Sequence, residues 1–581
     1  MSESPLNLAL TRPEVEERRA ANATPGLRGS WQAWNRLPRD LLLARLIYTM
    51  KRPLFALLPS GLSFLTQTPG SINVMSPDPW PGDAAHGGEM TQGRLTFAGR
   101  TIEDPQPLWH PREASAAWLA ALHGFAWLRD LRACGGDAAR RTARDLTTSW
   151  IDHNRGWSLP AWRPDIMGRR LVSWLGQYEY FAATADLAFC DALHDSLQRQ
   201  AGHLARVLPA GLAGSDLISA IKGLIYAGCC LPGGAAWRRR GLQLLEGELS
   251  RQILADGGHV ERSPGHHLLI LQDLIDIRAV LGGSETEAPA NLQAAITSMA
   301  SVLRLLQHGD GGLALFNHTN VGDSLQIDLT LQRCVSRQRP LMTAPETGFQ
   351  RLQSGRTTII VDAGPPPPPG FDDRAHAGTL SFELSVGRDR LIVNCGAQTE
   401  RSDWYDVQST TAAHSTLTLA ETNSSELLNG LGFGRRIAAV TCRRSEQDGN
   451  LLLEMSHDGY LKRFGAIHHR CLYLNTAGDD LRGEDRIEIA AKPTENLPFT
   501  LRFHLHPSVR ASQAQGAADV LLSTAKGAGW RLRSSGAEVN LEPSVYLGEP
   551  GQVRRGQQVV LTGYTKGSET IVKWALRKEG G

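Results

Sequence analysis

The sequence predicts an α+β multidomain fold, a helical half that curves round on itself followed by a half of antiparallel β-sheet. Three observations predict it. At 581 residues the chain is too long for one ordinary core. From about Pro111 to Arg339 apolar residues recur at helical spacing, and after about Thr347 the period changes to two.

In order along the chain, residues 1–108 form an N-terminal segment whose most apolar stretch runs from Asp40 to Leu65. That stretch carries Arg45, Lys51 and Arg52 and is interrupted by Pro53 and Pro59, so it reads as an amphipathic helix pair and does not span a bilayer. Docking on its own domain and lying on a membrane surface are the two open readings. Residues 109–340 follow with "AAWLAALHGFAWLRDLRACG", "GRRLVSWLGQYEYFAATA", "DLISAIKGLIYAGCCL" and "HLLILQDLIDIRAVLGG", a succession of helices with no strand between them. Such helix hairpins must curve or close, and an α/α toroid is one way to do so. The segment "DAGPPPPPGFDDRAHAG" reads either as a loop at the mouth of a site or as a spacer. Residues 347–581 alternate inward and outward positions, as in "LSFELSVGRDRLIVNCG", with turns at "VGRD", "QDGN", "SSGA" and "TKGSE". That pattern predicts stacked antiparallel sheets, a β-sandwich.

A formal net charge of +2, from 61 basic and 59 acidic residues, provides no field to recruit nucleic acid or an anionic membrane. The eight cysteines form no CxxC motif and read as thiols in a reducing compartment. The polar N-terminus lacks the apolar core of a secretory peptide, so the expected location is the cytoplasm. Phosphate-loop, HExxH and GxSxG motifs are all missing, which removes weight from ATP-dependent, metalloprotease and α/β-hydrolase chemistry.

The stretch "DGGHVERSPGHHLLILQDLIDI" carries the chemistry best. Ser263 caps and Pro264 starts a helix, placing His266 and His267 in its first turn, where the helix dipole favours neutral rings. A neutral imidazole can take a proton. The two rings lie on different helix faces, so one of them is expected at a cleft, while Glu261 taken alone reads as solvated or as catalytic. A second constellation in the β half comprises Arg374, His376, Asn394 and His414, with Arg470 further on. Trp162 is one of several aromatics in the helical half that would serve as a sugar platform or as core.

From about Trp109 to the end, the chain resembles the heparinase II/III superfamily, which includes alginate and oligo-alginate lyases. The motifs that carry the resemblance are the "DGG…ERSPxxH" helix start, the "HAxxLSFEL" strand and the "HSTLTL" strand, in that order. The resemblance implies an incomplete α/α toroid followed by an antiparallel β-sandwich, with the site between them. It also implies β-elimination on uronic-acid-containing poly- or oligosaccharides. A base removes the proton next to the uronate carboxylate, an acid protonates the departing oxygen, and the carboxylate must be neutralised.

Carried over by position, the resemblance puts His266 where catalytic members have tyrosine and His267 where they have histidine. Ser215 and Asp216 stand in place of an Asn-His pair, Arg374 in place of the catalytic histidine, and Gly378 in place of an acid. Arg374 is then the carboxylate neutraliser and His266 the base or acid, with His267, Glu261 and His376 in support. Ser215, Arg262, Arg470 and Trp162 are the candidates for holding an acidic saccharide. The elimination needs no cofactor, and a structural zinc would fall to His376, Asn394 and His414. An active lyase, a glycan-binding module and a non-enzymatic scaffold all remain open, as does a homodimer.

Overall fold

The computed structural model describes residues 39–57, 72, 77–334, 340–398, 404–428, 432–490, 496–513 and 519–579. The second helix expected before Leu65 lies outside the described residues. The first is α1 (Arg39–Leu57), which continues through Pro53. Its Leu41 packs with Val260 and Phe371, and its Asp40 pairs with Arg251 at 2.6 Å. Leu43, Leu46, Ile47 and Met50 stay exposed on another side. Among the described residues no helix is long and apolar enough to cross a membrane.

After the short α2 (Ala84–Met90) and a ribbon of β1 (Arg94–Phe97) and β2 (Arg100–Glu103), the described residues of the helical half form ten further helices of seven residues or more, besides a single turn at Tyr178–Phe181. These are α3 (Ala116–Gly124), α4 (Leu128–Cys134), α5 (Gly136–His153), α6 (Pro164–Gly176), α7 (Leu187–Val207), α8 (Gly214–Cys230), α9 (Ala235–Gln252), α10 (Pro264–Gly283), α11 (Ala290–Leu305) and α12 (Ser324–Arg333). Helix α8 is apolar nearly all round and buried along nearly its whole length, as an inner helix must be. Its neighbour α9 buries one stripe, Gly241, Leu245, Leu249 and Gln252, and shows its charged residues to water. Trp118, Trp150 and Trp174 fill the common core with Leu122, Leu171 and Leu224, all within 1% of full burial. Burial of each such side chain contributes roughly 1.5–3 kcal/mol.

The second half is two antiparallel sheets. One contains β3 (Thr343–Ala344), β4 (Phe349–Ser354), β5 (Thr357–Asp362), β6 (Phe382–Val386), β7 (Asp389–Val393) and β8 (Leu417–Leu419), completed by β13 (Pro498–Leu505), β17 (Glu538–Tyr546) and β18 (Arg554–Tyr564). The other runs in the order β14 (Arg510–Gln513), β15 (Asp519–Ser523), β16 (Gly529–Ser535), β19 (Glu569–Lys578), β12 (Asp480–Ile489), β11 (Ala466–Leu474), β10 (Asn450–His457), β9 (Val440–Gln447). Strand β11 alternates strictly between buried and half-buried positions, because only one of its faces meets the opposing sheet. Leu352, Phe382, Leu453, Phe503 and Trp574 belong to that shared core. A third cluster joins the halves: Val302, Leu305 and Phe316 from the helical side pack on Phe349 and Ile360 of the sheet. The toroid-plus-sandwich architecture expected from the period change is the one observed.

Candidate functional site

Ser263 accepts from the His266 amide at 3.4 Å and Pro264 opens α10, so the helix starts where sequence chemistry predicts. His266 then faces the junction of the two halves. Its Nδ1 lies 2.5 Å from Glu261 Oε2, and the other carboxylate oxygen of Glu261 accepts from the Ser215 amide at 2.9 Å. Glu261 thus caps the N-terminus of α8 from outside that helix, a position that suits an anion. Burial pushes the Glu261 carboxyl up, but His266 outweighs it and brings it down to about 2. The Glu261 carboxyl is therefore ionised at neutral pH.

Arg374 enters from the loop between β5 and β6. Its guanidinium is 3.5 Å from His266 Nδ1 and 3.3 Å from Ser215 Oγ, and it meets Asp216 Oδ2 at 3.2 Å. The other oxygen of Asp216 takes a shorter bond, 2.9 Å, from Arg169. Burial alone would lower Arg374, but Asp216, Asp373 and Glu261 raise it further above its ordinary range. Burial would likewise raise Asp216, and Arg374, Arg169 and Arg163 hold it down. The cluster is open on one side: 13% of the His266 side chain and 29% of Arg374 are exposed. Nδ1 takes all the polar contacts of the His266 ring among the described residues, which leaves Nε2 as the nitrogen a ligand can reach.

His266 and Arg374 touch, so the space between them is too small for a sugar ring. His267 points elsewhere. It is buried and hydrogen-bonds the Met299 carbonyl at 2.8 Å, and burial lowers it to about 4. Arg262 is spent inside the protein on Asp362 and on the Thr347 and Pro365 carbonyls. It ties the loop before α10 to the sheet and is only 5% exposed, so it does not face a ligand on the open side. Arg470 lies within the sandwich on Asp485 (2.8 Å) and the carbonyls of Leu380 and Ser415. Trp162 is core, 5% exposed, its indole donating to the Asn154 carbonyl. Of the predicted set, the structure brings together His266, Glu261, Ser215 and Arg374.

His376 and His414 are near neighbours, Nδ1 to Nε2 at 3.3 Å, and Asn394 Oδ1 takes the Ser415 amide at 2.9 Å. No group of three His, Cys, Asp or Glu side chains among the described residues is arranged to hold a metal ion. With an amide in place of a carboxylate, these three residues do not fit a zinc site.

Arg169, Arg163, Asp373 and His318 are members of the electrostatic surroundings that the sequence reading missed. His318 has a positive φ of 56° and is lowered to about 3, chiefly by burial and then by His266 and Arg374. The consecutive "FNHTN" residues on a loop after the last long helix were the available signal.

The heparinase II/III N-terminal model matches residues 139–334, and the heparinase II/III-like C-terminal model matches residues 336–575. The chain belongs to the heparinase II/III family. FtsZ-localized protein C of Caulobacter vibrioides is 32% identical over 553 residues, spanning 92% of this chain and 94% of that protein. A heparin-sulfate lyase of Bacteroides stercoris is 29% identical over 113 residues, only 19% of this chain and 17% of the lyase. Among solved structures, heparinase III superposes with a TM-score of 0.70 at 15% identity, covering 99% of this chain and 94% of that one. A heparan sulfate lyase HepC mutant of Pedobacter heparinus gives 0.61 at 16% identity, covering 99% and 92%. These likenesses show the fold.

Proposed function

We propose that this chain is a lyase-type member of the heparinase II/III family that takes a uronic-acid-containing poly- or oligosaccharide across the His266–Arg374 pair and cleaves it by β-elimination. The observation that carries this reading is the convergence of an imidazole from the helical half and a guanidinium from the sheet half, 3.5 Å apart and open on one side. Glu261 accepts the Nδ1 proton of His266, so the lone pair of Nε2 is the base. When the C–H bond next to the uronate carboxylate breaks, the proton goes to Nε2 and the imidazolium charge arises beside a carboxylate already in place. The electron pair forms the carbon–carbon double bond as the glycosidic C–O bond breaks, and the departing oxygen takes the proton back from His266 Nε2, which restores the neutral ring.

Arg374 neutralises the uronate carboxylate, which an arginine fork suits. To do so it turns from Asp216, and the length of that contact favours the exchange: 3.2 Å is long for a charge-assisted bond, while Arg169 keeps Asp216 paired at 2.9 Å. The test is to incubate the purified chain with uronate polysaccharides and oligosaccharides and follow the ultraviolet absorbance of the unsaturated product. A rise that is abolished in both His266→Ala and Arg374→Ala supports the reading. No rise on any substrate overturns it.

A second reading follows from the relative that matches end to end. On this reading the chain localises with FtsZ and its cleft binds an acidic glycan without cleaving it, an arrangement favoured by the Arg374–Asp216 pair that occupies the neutralising position. Cosedimentation with FtsZ polymers, together with glycan binding in calorimetry and no unsaturated product, is the expected result. A chain that stays in the supernatant while FtsZ polymers pellet overturns it.

A further inference from the structure

We infer that His376 and His414 form a metal-free hydrogen-bonded latch between the two halves of the molecule, in the place where the family resemblance suggests a zinc site. The tautomers carry the argument. His414 Nδ1 lies 2.7 Å from the Thr410 carbonyl, which only accepts, so the proton is on Nδ1 and Nε2 has the lone pair. That lone pair faces His376 Nδ1 at 3.3 Å, so His376 also carries its proton on Nδ1. The remaining nitrogen, His376 Nε2, accepts the backbone N–H of His318 at 3.0 Å. The chain of donors runs in one direction from the helical half, through both rings, to a carbonyl of the β half, and each nitrogen is used once.

A metal between the rings would need the lone pair of His376 Nδ1. Its proton would then move to Nε2 and meet the His318 N–H, donor against donor, in a site only 6% exposed at His376 and 2% at His414. An unmade buried bond of that kind is costly. A second observation comes from Gly378. A Cβ added there would stand 2.5 Å from His414 Cδ2 and 3.0 Å from its Nε2. The His414 ring therefore occupies the space that any side chain at position 378 would need, and the loss of the acid there and the ring–ring pairing go together. Asn394 completes the rearrangement: its carbonyl oxygen serves the Ser415 amide, and its Nδ2 is buried without a partner among the described residues. Backbone contacts reinforce the latch, since the His376 amide donates to Asn317 Oδ1 at 2.9 Å and Asn317 Nδ2 to the Arg262 carbonyl at 2.8 Å.

The test uses the full chain, incubated with excess zinc chloride and desalted, then analysed by elemental mass spectrometry and by thermal melting with and without a chelator. The expected result is far less than one zinc per chain and a melting temperature that neither zinc nor chelator moves. His414→Ala and Gly378→Ala should each lower melting by about 2–4 °C or more, with no recovery on adding zinc. Zinc near one per chain that is lost in His414→Ala, or a melting temperature that drops on chelation, would overturn the latch. Neither readout depends on activity, so the result stands apart from the fate of the lyase reading.

Discussion

Two histidine–carboxylate pairs in this molecule use the same chemistry in different surroundings. In the sandwich, His468 Nε2 lies 2.7 Å from Asp485 and its Nδ1 meets His457 at 3.3 Å; Arg470 and the Trp574 indole complete the shell of Asp485, and His468, Arg470 and Asp485 are all within 1% of full burial. At the junction, Glu261 engages one nitrogen of His266 and the other is left to solvent. A complete pair can hold a fold together. An incomplete pair can exchange a proton with a molecule that arrives. The distinction lies in the second ring nitrogen, and nothing in the spacing of two adjacent histidines reveals it.

The largest effect should come from breaking the complete pair. Asp485→Ala leaves Arg470 and His468 buried without their counter-charge, with an expected loss on the order of 3–5 kcal/mol in denaturant unfolding. A loss below about 1 kcal/mol would mean that the sandwich pair is not the structural element described. Next, His266→Ala should reduce β-elimination by about 10²–10⁴-fold while melting stays close to that of the parent. If it instead destabilises as much as Asp485→Ala, the contrast between the two pairs collapses.

A smaller effect should appear on acidification. His267, His259 and His414 are each lowered by burial from 6.5 to about 4, so the unfolded chain binds more protons than the folded one across that interval. The stability contributed by keeping these rings neutral is fully present above pH 6.5 and is lost as pH falls toward 4. Melting measured at intervals from pH 7.5 to 4.5 should decline, most steeply at the acid end; a flat profile would contradict the burial of these rings. Asp216→Asn should have the smallest effect, a few-fold tighter binding of uronate oligosaccharides in calorimetry, because Arg374 no longer has to leave a charged partner. Weaker binding would indicate that Asp216 positions Arg374 for its ligand.

The period change and the Ser263–Pro264 helix start were legible because both are local. So was the divergence of His266 and His267, since adjacent helix residues lie about 100° apart. What the local pattern does not contain is contact across the chain: Arg169 and Asp216 are 47 residues apart, and Arg374 and His266 are 108 apart. Arg470 was misjudged although its signal was present. In "AIHHRCLYL" it shares the inward register with Ala466, His468, Leu472 and Leu474, and an arginine in that company needs an internal acid, which the next strand supplies as Asp485. Trp162 and Arg262 carried no comparable register. Whether a tryptophan or an arginine on a connecting loop ends inside or outside is decided by how the helices and sheet close over it.

One backbone position sets the limits of this design. Gly214 has a φ of +57°, and a methyl group there would sit 1.6 Å from Glu261 Oε1. The carboxylate that orients His266 is therefore accommodated by the absence of a side chain 47 positions earlier in the sequence. Replacing this hydrogen by anything larger would evict the anion, uncap the inner helix and unseat the imidazole in a single event, although residue 214 itself carries no reactive group.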